Sequence, residues 1–95
     1  MAEKEEIQVE GATVPVYKYE ENGITYYEFD TSALGPPEPM VNALAVLKLL
    51  DGPDKRAVMI NHKKPMGLFD KIADKFDYEV EELDGKFRII FKLKE

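Results

Sequence analysis

The sequence predicts an α+β fold, a two-layer sandwich in which two helices lie on one face of a mixed sheet. Three observations predict it. Period-two alternation around a turn pair marks a hairpin near each end of the chain. Between the hairpins, two segments repeat their apolar residues at helical spacing, and one short unbroken apolar run separates those segments. The order is hairpin, helix, strand, helix, hairpin: a β-α-β-α-β-β core with an extra N-terminal hairpin strand. Ninety-five residues, 44% hydrophobic and 34% charged, suit a single domain over residues 1–95.

Residues 1–12 read as an N-terminal extension, the first six frayed because no apolar periodicity ties them down. Val14-Pro15-Val16-Tyr17-Lys18-Tyr19 and Ile24-Thr25-Tyr26-Tyr27-Glu28-Phe29 are strands around Asn22-Gly23, a pair that accepts the positive φ a type I′ turn needs at both central residues. That turn pairs Tyr19 with Tyr26, Lys18 with Tyr27 and Val16 with Phe29. One face then carries Val14, Val16, Tyr27 and Phe29, and the other carries Tyr17, Tyr19 and Tyr26. Pro15 lacks a ladder donor, which predicts an edge position for the first strand.

The loop Asp30–Pro39 leads into a helix from Glu38 to Leu50, stopped by Asp51-Gly52-Pro53. Its prolines fit a first turn, where the amide has no intrahelical partner. Met40, Ala43, Leu44, Val46, Leu47 and Leu50 fall on the inner side of the helix. Val41, Ala45 and Leu49 form a second apolar row among Glu38, Asn42 and Lys48, on the face expected to be wet. Ala57-Val58-Met59-Ile60 predicts a central strand covered on both edges. A second helix, Met66 to Phe76, points Leu68, Phe69, Ile72, Ala73 and Phe76 inward. Tyr78–Leu83 and Lys86–Leu93 alternate around Asp84-Gly85, pairing Glu81 with Arg88 and Val80 with Ile89, so one register satisfies both charge and burial.

Composition excludes whole classes of chemistry. With no cysteine there is no disulfide framework, no thiolate metal site and no substrate carried on a protein thiol. The net charge of −6 arises entirely in residues 1–30, which hold eight acids against two bases, whereas residues 31–95 hold eleven of each. This acidic balance argues against general binding of a phosphate backbone, where a basic face dominates affinity, so nucleic acid is not an expected partner. No apolar run approaches the ~18 residues of a membrane span. With the charged start Met1-Ala2-Glu3-Lys4-Glu5-Glu6, this predicts a cytoplasmic protein without a membrane partner.

From Phe29 onward, the element order and Leu34-Gly35-Pro36-Pro37-Glu38-Pro39 at a helix entry resemble the SirA/TusA-like family, whose members carry Cys-Pro-x-Pro there. Pro37-Glu38-Pro39 matches the Pro-x-Pro part, Asp30 and Leu34-Gly35 match the approach, and Pro36 stands where the persulfide-carrying cysteine would be. The resemblance covers about two-thirds of the chain and implies the fold. It implies no sulfur transfer, because a proline ring cannot hold sulfur. The chain is most similar to a cysteine-less, uncharacterised branch of that superfamily, often found beside hemerythrin-type domains. Asn61-His62-Lys63-Lys64-Pro65-Met66-Gly67-Leu68 resembles that branch's His-then-Pro segment, with lysines where an acid is often present.

In this arrangement the segments after Phe29 and after Ile60 emerge at one sheet edge, where both helices begin. Gly35, Pro36, Pro37, Glu38 and Pro39 on one side, and Asn61, His62, Lys63 and Lys64 on the other, are therefore the candidate ligand-binding residues. Helix amides and lysines together favour a small anion or an acidic partner group. The competing reading is that the lysines are simply solvated and the prolines set helix geometry. His62 is the single side chain whose ordinary pKa suits proton transfer near neutrality, with Asp30 placed to orient it. Without a nucleophile, no catalytic residue is assigned and no enzyme is predicted. One imidazole without a second at ligand spacing assigns no metal and no cofactor.

The expected function is thus a non-catalytic binding or accessory module. The alternatives are a redox or metalloprotein accessory that uses His62, and a sulfur-relay partner without its own thiol. The row Val41, Ala45, Leu49 predicts a protein-partner or homodimer interface, unless a strand edge, a loop or the N-terminal extension covers it. Tyr17, Tyr19 and Tyr26, flanked by Glu20, Glu21 and Glu28, read as cross-strand stabilisation.

Overall fold

The computed structural model describes residues 3–94, in the order β1 (Glu5–Ile7), β2 (Val16–Glu21), β3 (Ile24–Asp30), α1 (Glu38–Leu47), β4 (Lys55–Asn61), α2 (Met66–Ile72), β5 (Phe76–Leu83) and β6 (Lys86–Leu93). The strands form one six-stranded mixed sheet, ordered β1-β2-β3-β4-β6-β5. Its one parallel pairing joins β3 to β4, as the crossover through α1 requires. Among the described residues, no helix is long and apolar enough to cross a membrane.

Turn chemistry sets both hairpins. Asn22 and Gly23 take φ of 53° and 80°, and the register they impose places Val16 opposite Phe29 and Tyr19 opposite Tyr26. At the second turn only Gly85 has positive φ, and Glu81 stands opposite Arg88 with 3.7 Å between carboxylate and guanidinium.

One face of the sheet supplies Val16, Tyr27, Phe29, Ala57, Met59, Ile89 and Phe91 to the core. Ala43, Val46 and Leu47 of α1, with Leu68, Phe69 and Ile72 of α2, close over them. Both helices therefore lie on that face, giving the two-layer α+β sandwich. On the opposite face of β4, Val58, flanked by Glu28 and Ile90 on the neighbouring strands, is also fully buried, which explains why this strand reads as unbroken apolar sequence.

Several expectations are corrected. Of the six residues expected to be frayed, the first two lie outside the described residues, and Glu5 and Glu6 are not frayed: with Ile7 they pair with Lys18, Tyr17 and Val16 as β1. The strand after Pro15 is consequently not at the edge, and Pro15 lies just outside the ladder. Helix α1 ends at Leu47, and Leu49 and Leu50 are held by amide bonds to the carbonyls three residues back. Helix α2 ends at Ile72 and Ala73 is exposed, because Phe76 is drawn into β5 opposite Leu93.

The largest correction concerns the outer side of α1. Asn42, expected to be wet, is fully buried, and Ala45 is also buried. The extension runs across this face, with Val9, Ala12 and Val14 packed against the core. Gly11 makes the close approach, since its φ is +91° and a Cβ there would stand 3.3 Å from that of Ala45. The row Val41, Ala45, Leu49 is thus no open docking stripe, and Val41 alone stays exposed, at 42%.

Candidate functional site

The parallel pair β3 and β4 delivers two loops to the same end of the sheet. Hydrogen bonds run directly between the loops. The Thr31 amide donates to the Ile60 carbonyl at 2.8 Å, extending the pairing by one residue beyond β3. The fully buried Thr31 hydroxyl lies 3.1 Å from the Ile60 carbonyl and 3.0 Å from Asn61 Oδ1. Asn61 Nδ2 then donates to the Lys63 carbonyl at 2.9 Å, which turns the backbone after β4 toward the start of α2.

Between the two loops lies a cleft of about 470 Å³. One wall is Pro36, Pro37, Pro39 and Met40; the other runs from Asn61 to Leu68. The cleft narrows where Gly67 meets Met40, because a Cβ on Gly67 would stand 3.3 Å from Met40 Cε. Met66 is 59% exposed at the mouth, and His62, Lys63 and Lys64 are exposed around it. Lys64 Nζ lies 5.7 Å from the centre of the Phe87 ring, a distance at which the ring face attracts a cation. A larger hollow, about 590 Å³, flanks the β5–β6 turn, but its walls come from that hairpin alone.

Of the predicted ligand residues, Pro36, Pro37, Pro39, Asn61, His62, Lys63 and Lys64 do line one cleft. Gly35 and Glu38 do not. Glu38 faces the extension and accepts a bond from the Thr13 hydroxyl at 3.3 Å. Asn61 is 2% exposed and its side chain ties the loops together, so it shapes the cleft and is not a free recognition group. Met40, Met66, Gly67 and Leu68 were not anticipated as lining, whereas Pro65 closes the expected Asn61-to-Pro65 edge. Pro65-Met66, a proline at a helix entry followed by a large apolar side chain, was the available signal.

The expected anion cradle of helix amides is not built. Pro36, Pro37 and Pro39 have no N–H, the Glu38 amide is taken by the Gly35 carbonyl and the Val41 amide by that of Pro37. The Met40 amide is what remains of the first turn. Helix α2 is only seven residues long, too short to add a substantial dipole. The proline motif therefore forms an apolar wall, and positive charge comes from side chains across from it.

Asp30 does not orient His62. Partial burial pushes the Asp30 carboxyl up, but the hydroxyl and amide of Ser32, at 2.6 and 2.8 Å, outweigh this. With Lys86 nearby they hold the group below its usual value. Among the described residues, no three potential metal-ligating side chains converge. No protein family matches the chain, and no curated protein or solved structure does so either.

Proposed function

We propose that the protein is a non-catalytic binding or accessory module whose cleft between the Pro36–Met40 wall and the Asn61–Leu68 wall holds an acidic group on an apolar body. The observation that carries this reading is the asymmetry of the cleft, with prolines and Met40 forming one wall, the apolar Met66 at the mouth, and Lys63 and Lys64 at the rim. Apolar walls contribute burial energy without selecting charge, and the lysines favour an anion over a cation. A carboxylate or phosphate carried by a small amphiphile, or an acidic side chain beside apolar residues of a partner protein, shares that chemistry.

Hexyl phosphate and inorganic phosphate are suitable probes, followed by amide chemical shifts. Hexyl phosphate is expected to shift the amides of Met40, of Asn61 to Lys64 and of Met66 to Leu68, and inorganic phosphate far less. Lys63→Ala with Lys64→Ala is expected to weaken the hexyl ester roughly tenfold. Equal binding by the double variant, or shifts elsewhere, would reject the reading. Retention of one host protein by the wild type and its loss from the double variant would identify a partner as the source of the acid.

The order β3-α1-β4-α2-β5-β6 and Pro36-Pro37-Glu38-Pro39 at the entry of α1 support placing the chain near the SirA/TusA-like superfamily. In this reading the scaffold is kept, and Pro36 replaces the sulfur-bearing position with a cleft wall.

A further inference from the structure

The two edges of the sheet are unlike. At one end β1 is three residues long, a short strand that offers little to pair with. At the other, β5 is eight residues long and exposed along nearly its whole length. Its pairing with β6 continues to a bond from the Lys94 amide to the Lys75 carbonyl. Antiparallel ladders alternate, so Asp77, Glu79 and Glu81 turn their backbone groups toward β6, whereas Phe76, Tyr78, Val80 and Glu82 turn theirs outward. Among the described residues, no backbone group bonds those outward amides and carbonyls.

The side chains state what the edge would accept. On the helix face, Tyr78 and Val80 are 39% and 37% exposed, and Tyr78 stacks on Phe69 of α2 with ring centres 3.9 Å apart. On the open face stands the acidic row Asp77, Glu79 and Glu81. A second copy pairing along this edge would set acid against acid in antiparallel or in-register parallel alignment, which is unfavourable. The inner edge of β5 shows the preferred neighbour: β6 places Lys92 beside Asp77, Arg88 beside Glu81, Phe91 beside Tyr78 and Ile89 beside Val80.

We infer that the free edge of β5 receives an extended segment of a partner protein with alternating basic and apolar residues, added to the sheet as a seventh strand. Main-chain bonds to Tyr78 and Val80 supply affinity, and the acidic row selects basic side chains on one face. This surface is separate from the cleft.

The test uses a synthetic peptide copying residues 86–94 with Lys in place of Ile90, so that basic and apolar residues alternate throughout. In titrations of the full chain, the Phe76, Tyr78, Val80 and Glu82 amides are expected to shift and to exchange with solvent at least tenfold more slowly. Val80→Pro removes an outward donor and leaves the β6 ladder intact, so it should abolish binding while the α1 amide spectrum stays unchanged. Glu79→Gln with Glu81→Gln, which keeps side-chain size, should weaken the peptide several-fold. A peptide with glutamates in place of its basic residues should not bind. Absence of shifts along β5, equal binding of the acidic peptide, or full binding by a folded Val80→Pro chain would overturn the inference.

Discussion

The side chain of Asn42 grips Thr13 from both of its ends. Its Oδ1 accepts from the Thr13 and Val14 amides at 2.6 and 3.3 Å. Its Nδ2 donates to the Thr13 hydroxyl and the Glu38 carbonyl, each at 2.9 Å. A helix residue with no exposed surface is thereby the lock that fastens the N-terminal extension over α1.

Replacing Asn42 with Ala would leave two amides of the extension without an acceptor in a partly buried place. The expected cost is about 2–3 kcal/mol, measurable as a lower urea midpoint. Faster amide exchange should be confined first to residues 9–14, because they lose their anchor while the sheet keeps its own. An unchanged midpoint would show that water replaces the lost acceptor.

At the cleft, Asn61→Ala should act on both stability and binding. The Thr31 hydroxyl loses one of its two acceptors and the Lys63 carbonyl loses its donor, a loss of about 1–2 kcal/mol. The loop carrying Lys63 and Lys64 would no longer be fixed, so hexyl phosphate affinity should fall although neither lysine is altered. Thr31→Val offers the comparison: it removes the hydroxyl but leaves the Asn61-to-Lys63 bond, and should disturb binding less.

Tyr19 gives a pH-dependent prediction. Burial, then the Glu28 charge and the 3.2 Å bond to it, push the phenol up to about 12, with Arg88 acting in the opposite sense. The ordinary value is 10.0, so the unfolded chain ionises first. Stability from this group is complete below pH 10 and is lost as pH rises through about 12. Ultraviolet titration should show one phenol ionising near 12, and Glu28→Gln should move it only part of the way back, since burial remains.

Local signals carried much of the fold. Asn22-Gly23 specified the first hairpin because few residue pairs tolerate left-handed φ in succession, and the register of Val16 with Phe29 followed by counting. The second hairpin was legible for a different reason: a one-residue slip would carry Glu81 to the helix face and Val80 to the open face, setting both against the wrong neighbours. The convergence of the Pro36–Pro39 and Asn61–Lys64 segments was legible too, because parallel strands joined by a crossover release their loops at the same end.

Partners distant in sequence were not legible. Asn42 and Ala45 look like surface residues on a helical wheel, and only the return of residues 9–14 across α1 buries them. Likewise, prolines at a helix entry are compatible with an amide cradle or with an apolar wall. Which one forms depends on the Gly35 and Pro37 carbonyls taking the Glu38 and Val41 amides.

By itself, then, the sequence determined the α+β class, both turns, the registers of the two hairpins and the end of the sheet where two loops meet. Those follow from φ preference and periodicity, which act over a few residues. The tertiary structure alone decided that the extension closes the outer side of α1, that Asp30 serves Ser32 rather than His62, and that β5 is left as a long acidic edge. Each of these depends on competition between groups far apart in the chain for the same hydrogen bond or the same patch of buried surface. The outcome of such competition is fixed only when the whole chain has packed.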